Sequence, residues 1–223
     1  SHCLGSIVGG APGDSIGVAP GAQWIAGATI DRGGGISETI SDAIETFQWV
    51  VDPDGNPSTM FDVPDVCSNS WGVTDVHGVP ACDNELWSFI DAMETAGVVV
   101  VFAAGNEGPS SSTIRRPADR NTSAFTTLAV GAVDGNAGDS FPVASFSSRG
   151  PAYCNPFGNG SAKPDISAPG VNVRSTSAGG GYTTLSGTSM ACPHIAGVVA
   201  LMRGANPELP VQELKQIMFD TVT

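Results

Sequence analysis

The run Gly187-Thr188-Ser189-Met190-Ala191-Cys192-Pro193-His194 sets a serine between a glycine-led turn and the start of a helix. A serine so placed faces converging backbone N–H groups and the positive end of the helix dipole. That setting suits a nucleophile whose attack creates an oxyanion. Taken alone it also fits a helix cap. A second run, Ala103-Ala104-Gly105-Asn106-Glu107-Gly108, ends a strand and displays a side-chain amide at its tip. The Asn106 carboxamide N–H, with the backbone N–H of Ser189, can receive the oxygen of a tetrahedral intermediate. Such chemistry also needs a proton acceptor, and the chain has three histidines, His2, His77 and His194. His194 lies five residues past Ser189 on the same helix, about 140° around it, and so points elsewhere. His77 stands in a loop without a supporting motif.

The elements that must position these groups alternate between strand and helix. Gln23 to Ile30, Asp65 to Ser70, Val98 to Ala104 and Thr127 to Val133 read as strands. Ile36, Ile40, Ala43, Ile44, Phe47, Val50 and Val51 recur at helical spacing, as do Leu86, Phe89, Ile90 and Met93 before Gly97. Met190 to Arg203 is the helix after the serine, and Pro210 to Phe219 is a last helix with Pro in its first turn. Asp134 to Gly181 reads as a long loop-rich region. This order predicts an α/β fold with a mostly parallel sheet buried on both faces, and a ligand site at the carboxyl ends of the strands. Asn69-Ser70 and Asn106 both fall at such ends.

Composition narrows the class. A hydrophobic share of 41% over 223 residues supports one domain with a real core, so the 29 glycines and 16 prolines mark turns and not disorder. With 22 acidic against 9 basic residues, net −13, the chain lacks the cationic surface that nucleic acid needs. No stretch approaches the roughly 20 apolar residues of a membrane span. Among Cys3, Cys67, Cys82, Cys154 and Cys192 there is no zinc spacing. Cys67 and Cys82 flank one loop and are the pair expected to bridge, which would imply an oxidising, secreted setting.

The runs around Ser189 and Asn106 resemble the serine and oxyanion motifs of the subtilisin-like serine proteases (subtilases, peptidase S8), most of all the bacillopeptidase F-like branch. The resemblance extends to Asn69-Ser70-Trp71-Gly72, similar to the family segment that runs beside substrate, and to Gly33-Gly34-Gly35, similar to the facing edge. It implies substrate contacts at Gly33, Gly34, Gly35, Ser70, Trp71, Gly72, Ala104 and Gly105, with Trp71 at the primary pocket and a taste for hydrophobic residues. Gly17 to Ala22 and Lys163 to Gly170 resemble structural segments, Asp165 included. The implied fold is subtilisin-like, three-layered and incomplete at the N-terminus, with residues 1–223 the C-terminal portion of one catalytic domain. The implied activity is a secreted serine endopeptidase working through an acyl-enzyme on Ser189, with Asn106 in the oxyanion hole.

Subtilases place Asp, His and Ser in that order along the chain. Ser1-His2-Cys3-Leu4-Gly5-Ser6 aligns with the later part of the family's His-Gly-Thr-His-x-Ala-Gly-Thr motif. His2 is then its second, structural histidine, and the base is expected two residues before Ser1. A Cys after that histidine matches the proteinase K-like pattern. The alternative register makes His2 itself the base. On the first register this chain alone is nearly inert, and its own N-terminal segment joins polypeptide substrate as a partner. A non-catalytic peptide-binding module is the competing reading, though a pure binder has no need of both Ser189 and Asn106. An α/β-hydrolase needs an acid and then a histidine after the serine, which His194 does not provide. The chemistry requires no cofactor. The family often holds calcium in surface loops, and the candidates are Asp14 in the Gly10 to Ile16 loop, Asp134, Asp139 and the Asp52–Asp54 pair.

Overall fold

The computed structural model describes residues 1–30, 34–123 and 125–222. Its centre is the apolar run the sequence marks. Val99, Val101 and Ala103 pack on one side of the sheet, while Val98, Val100, Phe102 and Ala104 pack on the other. A strand buried on both faces has no polar alternation to keep, which is why this run reads as continuous.

In chain order the helices are α1 (His2–Val8), α2 (Ile36–Val50), α3 (Trp87–Thr95), α4 (Thr188–Ala205) and α5 (Val211–Thr221). The strands are β1 (Gly10–Ala11), β2 (Asp14–Ser15), β3 (Val66–Asn69), β4 (Val99–Ala103), β5 (Leu128–Val133), β6 (Ile166–Pro169), β7 (Val173–Thr176) and β8 (Tyr182–Leu185). The main sheet runs β3-β4-β5-β6, every pair parallel. Helices α4 and α5 cover one face through Ala191, Ile195, Ala196, Val199, Leu214 and Met218. Helices α2 and α3 cover the other through Ile40, Ala43, Phe47, Ile90 and Met93. The result is the expected three-layer α/β fold. The apolar stripe of α2 is the one read from its spacing, and Gly97, with φ of +98°, turns the chain from α3 into β4.

Three expectations are corrected. Gln23–Ile30 joins no ladder. Its Trp24 and Ile25 are exposed, and an alternating segment makes a strand only where a neighbouring strand takes up its backbone hydrogen bonds. The region from Asp134 to Gly181 holds more order than its composition suggests: β6 lies within it, as does the start of the β7–β8 hairpin that feeds α4. Four-residue strands flanked by Pro164 and Gly170 give too little periodicity to be seen. The disulfide joins Cys82 to Cys154, 72 residues apart with Cα atoms 4.9 Å from one another, and not to Cys67. Cys67 lies on β3 and packs toward the α2–α3 layer, out of reach of the loop that carries Cys82. Cys3, Cys67 and Cys192 remain thiols. Burial pushes Cys67 up to about 11 and Cys192 up to about 12, so neither is a reactive thiolate at neutral pH. Among the described residues, no helix is long and apolar enough to cross a membrane.

Asp119 lies against the disulfide, its Oδ2 3.2 Å from Cys154 Sγ. A disulfide sulfur carries no proton, so this is packing. Burial raises the Asp119 carboxyl to about 6 from an ordinary 3.8, and the Arg116 guanidinium offsets only part of that. Because the folded state holds this proton more tightly than the unfolded chain, Asp119 adds stability below an ordinary carboxylate pKa and loses it as pH rises through about 6. Urea titrations from pH 4 to pH 7 should show Asp119→Asn gaining on the wild type as pH rises. A constant difference across that window would disprove the assignment.

Candidate active site

Three chain segments meet where the carboxyl ends of β3 and β4 face the N-terminus of α4. The first is Ser70-Trp71-Gly72 after β3, the second Gly105-Asn106-Glu107 after β4, and the third Gly187-Thr188-Ser189 opening the helix. Their junction is built almost entirely from hydrogen bonds.

Thr188 is the hub. Its backbone N–H donates to Asn106 Oδ1 at 2.9 Å, and its hydroxyl lies 3.1 Å from the same oxygen. The hydroxyl also accepts the Gly105 N–H at 3.1 Å. A backbone N–H can only donate, so the atom it meets on Asn106 must be the carboxamide oxygen. That fixes the amide orientation and leaves Nδ2 as the outward, donating end. Thr188 is fully buried while Asn106 is exposed, so the clamp is dry and the donor it aims is wet. Gly105 sits at φ +114°, and a Cβ there would fall within 2.8 Å of Glu107, Ser148 and Arg115 side-chain atoms. Both facts restrict the position to glycine.

Ser189 is half-buried and stands one residue into the helix. Its backbone N–H has no protein acceptor among the described residues, as the first turn of a helix leaves it. Its hydroxyl donates to the Ser70 carbonyl at 2.9 Å, and the Ser70 hydroxyl donates to the Ser189 carbonyl, also at 2.9 Å. This reciprocal pair ties Ser189 to the segment after β3. Cys3 Sγ, from α1, reaches the same Ser189 carbonyl at 3.4 Å. Ser189, Asn106, Ser70 and Gly105 are therefore brought together as the sequence suggests, with Ala104 directly behind them and bonded to β5 through Val130.

The remaining expected site residues are placed as follows. Trp71 is partly buried and joins an aromatic cluster, stacked on Phe47 and edge-on to Phe102 with ring centroids 6.4 and 5.3 Å away, and its indole N–H donates to Asn69 Oδ1. Gly34 and Gly35 lie at the start of α2 against Glu38, and Gly33 lies outside the described residues. The sequence reading missed Thr188, although it sits inside the quoted run. It also missed Glu107, Ser148 and Arg115, which brace the Asn106 segment from behind. Asn106 N–H donates to Glu107 Oε2 at 2.9 Å, and Ser148 N–H holds the Gly105 carbonyl at 3.0 Å.

No histidine bonds Ser189. His2 Nε2 lies 3.1 Å from the Val173 carbonyl, and His194 Nδ1 lies 2.8 Å from the Met190 carbonyl. Each of these nitrogens must be a protonated donor, since a carbonyl only accepts. Burial holds the His194 imidazole below its ordinary pKa, the Met190 carbonyl opposing this in part. His77 caps its own short turn at Thr74. Asp165 is structural, bonding Lys163 Nζ at 2.6 Å and the Ala129 N–H at 2.7 Å.

Of the calcium candidates, Asp14 does not fit, since both of its carboxylate oxygens bond Arg174 at 3.0 and 2.8 Å. Asp134 holds the Asn136 amides. Asp52 and Asp54 are joined by Asp62, their carboxylate oxygens within 4.8 Å of one another. Both Asp54 oxygens already accept the Thr59 hydroxyl.

Comparison with known proteins shows the family of the chain. The chain matches the "Peptidase_S8: Subtilase family" description over residues 1–223. Bacillopeptidase F of Bacillus subtilis (strain 168) is 38% identical over 99% of this chain, and serine protease AprX of the same strain is 35% identical over 98%. The chain spans 15% and 51% of those relatives. Among solved structures, sphericase superposes with a TM-score of 0.76 at 32% identity, covering 99% of this chain and 67% of sphericase.

The clamp is testable without any substrate. Thr188→Val keeps the volume but strips the hydroxyl, leaving the buried Gly105 N–H without an acceptor. It should cost about 1–3 kcal/mol in urea unfolding, and Thr188→Ser should recover most of it. A neutral Thr188→Val would remove Thr188 from the role of hub.

Proposed function

The chain belongs to the subtilase family of serine proteases, and on that premise we propose that Ser189 is the nucleophile of an endopeptidase that cleaves polypeptides through an acyl-enzyme. The observation that carries this reading is the pairing of an unengaged Asn106 Nδ2 and Ser189 backbone N–H beside one half-buried hydroxyl. Substrate binds along the Ser70–Gly72 edge by strand pairing. Ser189 Oγ attacks the scissile carbonyl, and the oxygen that gains charge is received by Asn106 and the Ser189 amide. The amine leaves, and water then releases the acyl group. The chemistry needs no cofactor, because side chains and backbone supply every group named.

The hydroxyl proton goes at rest to the Ser70 carbonyl, which is not a base. With His2, His77 and His194 all engaged elsewhere, residues 1–223 by themselves turn peptides over slowly. In this reading the proton acceptor comes from further residues of the same gene product, which also pair with the open Gln23–Ile30 stretch. Secretion is part of the proposal, and the Cys82–Cys154 disulfide supports it. A purely peptide-binding role is less well supported, since binding alone has no use for an aimed oxyanion donor.

The test is a comparison of the full-length gene product with residues 1–223, using peptide hydrolysis and a fluorophosphonate probe. The full-length protein should hydrolyse peptides and lose that activity in Ser189→Ala. Asn106→Ala should lower kcat by about 10²–10³-fold, the size known for subtilisins, with KM little changed. Residues 1–223 alone should label poorly. Hydrolysis that survives Ser189→Ala refutes the assignment, and rapid labelling of residues 1–223 refutes the need for an external base.

A further inference from the structure

Close to Asn106 runs a segment the mechanism does not use. The Arg115 N–H donates to the Ala104 carbonyl at 2.9 Å, and Arg116 exchanges two backbone bonds with Val73, each 3.0 Å. The chain at Arg115 therefore spans the gap between the segment after β3 and the segment after β4. Both walls of that gap are glycine. A Cβ on Gly72 would come within 2.8 Å of Arg115 Cβ, and one on Gly105 within 2.8 Å of Arg115 Cγ. The space the missing side chains leave is taken by the arginine itself.

Its guanidinium is held by Glu107. Nε lies 3.0 and 2.9 Å from the two carboxylate oxygens, and Nη2 bonds Oε1. The same carboxylate accepts the Asn106 N–H at 2.9 Å and the Ser148 hydroxyl at 3.2 Å. Burial alone would raise the Glu107 carboxyl, but Arg115 and these donors hold it below its ordinary value, so it stays an acceptor. A carboxylate has about four lone-pair positions, and Glu107 has filled them. The guanidinium is not so saturated. Its Nη1 makes one contact, to the Gly72 carbonyl at the 3.5 Å limit, and N–H groups on Nη1 and Nη2 have no protein acceptor among the described residues. The spare capacity of this pair is donor-only, and it is reachable: the Arg115 and Glu107 side chains are 27% and 36% exposed.

We propose that Arg115 determines specificity, selecting peptides with glutamate or aspartate at the residue that supplies the attacked carbonyl. The side chain of that residue lies over the arginine that fills the gap between Gly72 and Gly105, where a carboxylate would meet the open guanidinium N–H groups in a charge-assisted pair. A large apolar side chain would cover those donors without satisfying them. This departs from the hydrophobic preference expected from the sequence, and it rests on the reading of Ser189 and Asn106 as the reaction centre.

The test is kcat/KM of the full-length gene product on Ala-Ala-Pro-Xaa-p-nitroanilides, with Xaa Glu, Gln, Phe or Lys. Wild type should favour Glu over Phe by on the order of tenfold or more, the worth of one charge-assisted hydrogen bond, with Lys last. Arg115→Ala should reverse the Glu–Phe order. Arg115→Lys, which keeps the charge and is less disruptive to Glu107, should retain a reduced Glu preference that salt weakens. Phe equal to or above Glu in wild type overturns the proposal, as does an unchanged ranking in both variants. Hydrolysis of none of the four by wild type overturns the peptidase reading and this one with it, and is distinguished by its indifference to Xaa.

Discussion

The bonds from Thr188 to the Asn106 carboxamide oxygen are the constraint on which the rest of the site depends. They cross from the start of α4 to the end of β4, 82 positions apart in sequence, and they do two things at once. They fix the spacing between the Ser189 turn and Asn106, and they decide which end of the amide faces outward. An Asn on a loop tip is free to flip, but one whose oxygen is held by a backbone N–H is not. Preorganisation of this kind is what makes a hydrogen-bond donor useful to a transition state, because no reorientation is left to do when charge develops.

That clamp is possible because the layers beneath it are dry and tightly registered. β4 is buried on both faces, so its end is held in position by Val99, Val101 and Ala103 against α4 and by Val100 and Phe102 against α2 and α3. The same helix that packs on β4 through Ala191, Ile195 and Val199 presents Thr188 and Ser189 at its first turn. Sheet and helix thus meet at one end of the molecule with their polar termini facing each other. Three layers of packing set the distance that two hydrogen bonds then fix.

Charge is placed differently. The surface is strongly acidic, yet beside the nucleophile the unsatisfied capacity belongs to an arginine. Glu107 is committed to three residues, Arg115, Asn106 and Ser148, and so links the arginine to the backbone of Asn106. On the proposed reading, recognition of a substrate side chain and placement of the oxyanion amide share one small network, so discrimination and transition-state stabilisation are coupled.

Much of this was legible in the amino-acid order. The unbroken apolar run from Val98 to Ala104 and the helical stripe from Ile36 to Val51 each state a periodicity that packing obeys, so the layered fold follows from them. The serine and asparagine runs name their own chemistry, because few local patterns place a hydroxyl and an amide at element ends. Relations between distant segments were not legible. Cys82 chose Cys154 over Cys67 because β3 turns Cys67 into the core. Trp71 became part of an aromatic cluster because Phe47 and Phe102, themselves in contact, both reach its ring. Gln23–Ile30 stayed out of the sheet for want of a partner. Arg115 entered the gap because two glycines on other segments left room. Periodicity and residue type are local properties that a sequence carries by itself. Which side chain fills a gap, and which donor is left without an acceptor, depends on neighbours that only the folded chain brings together.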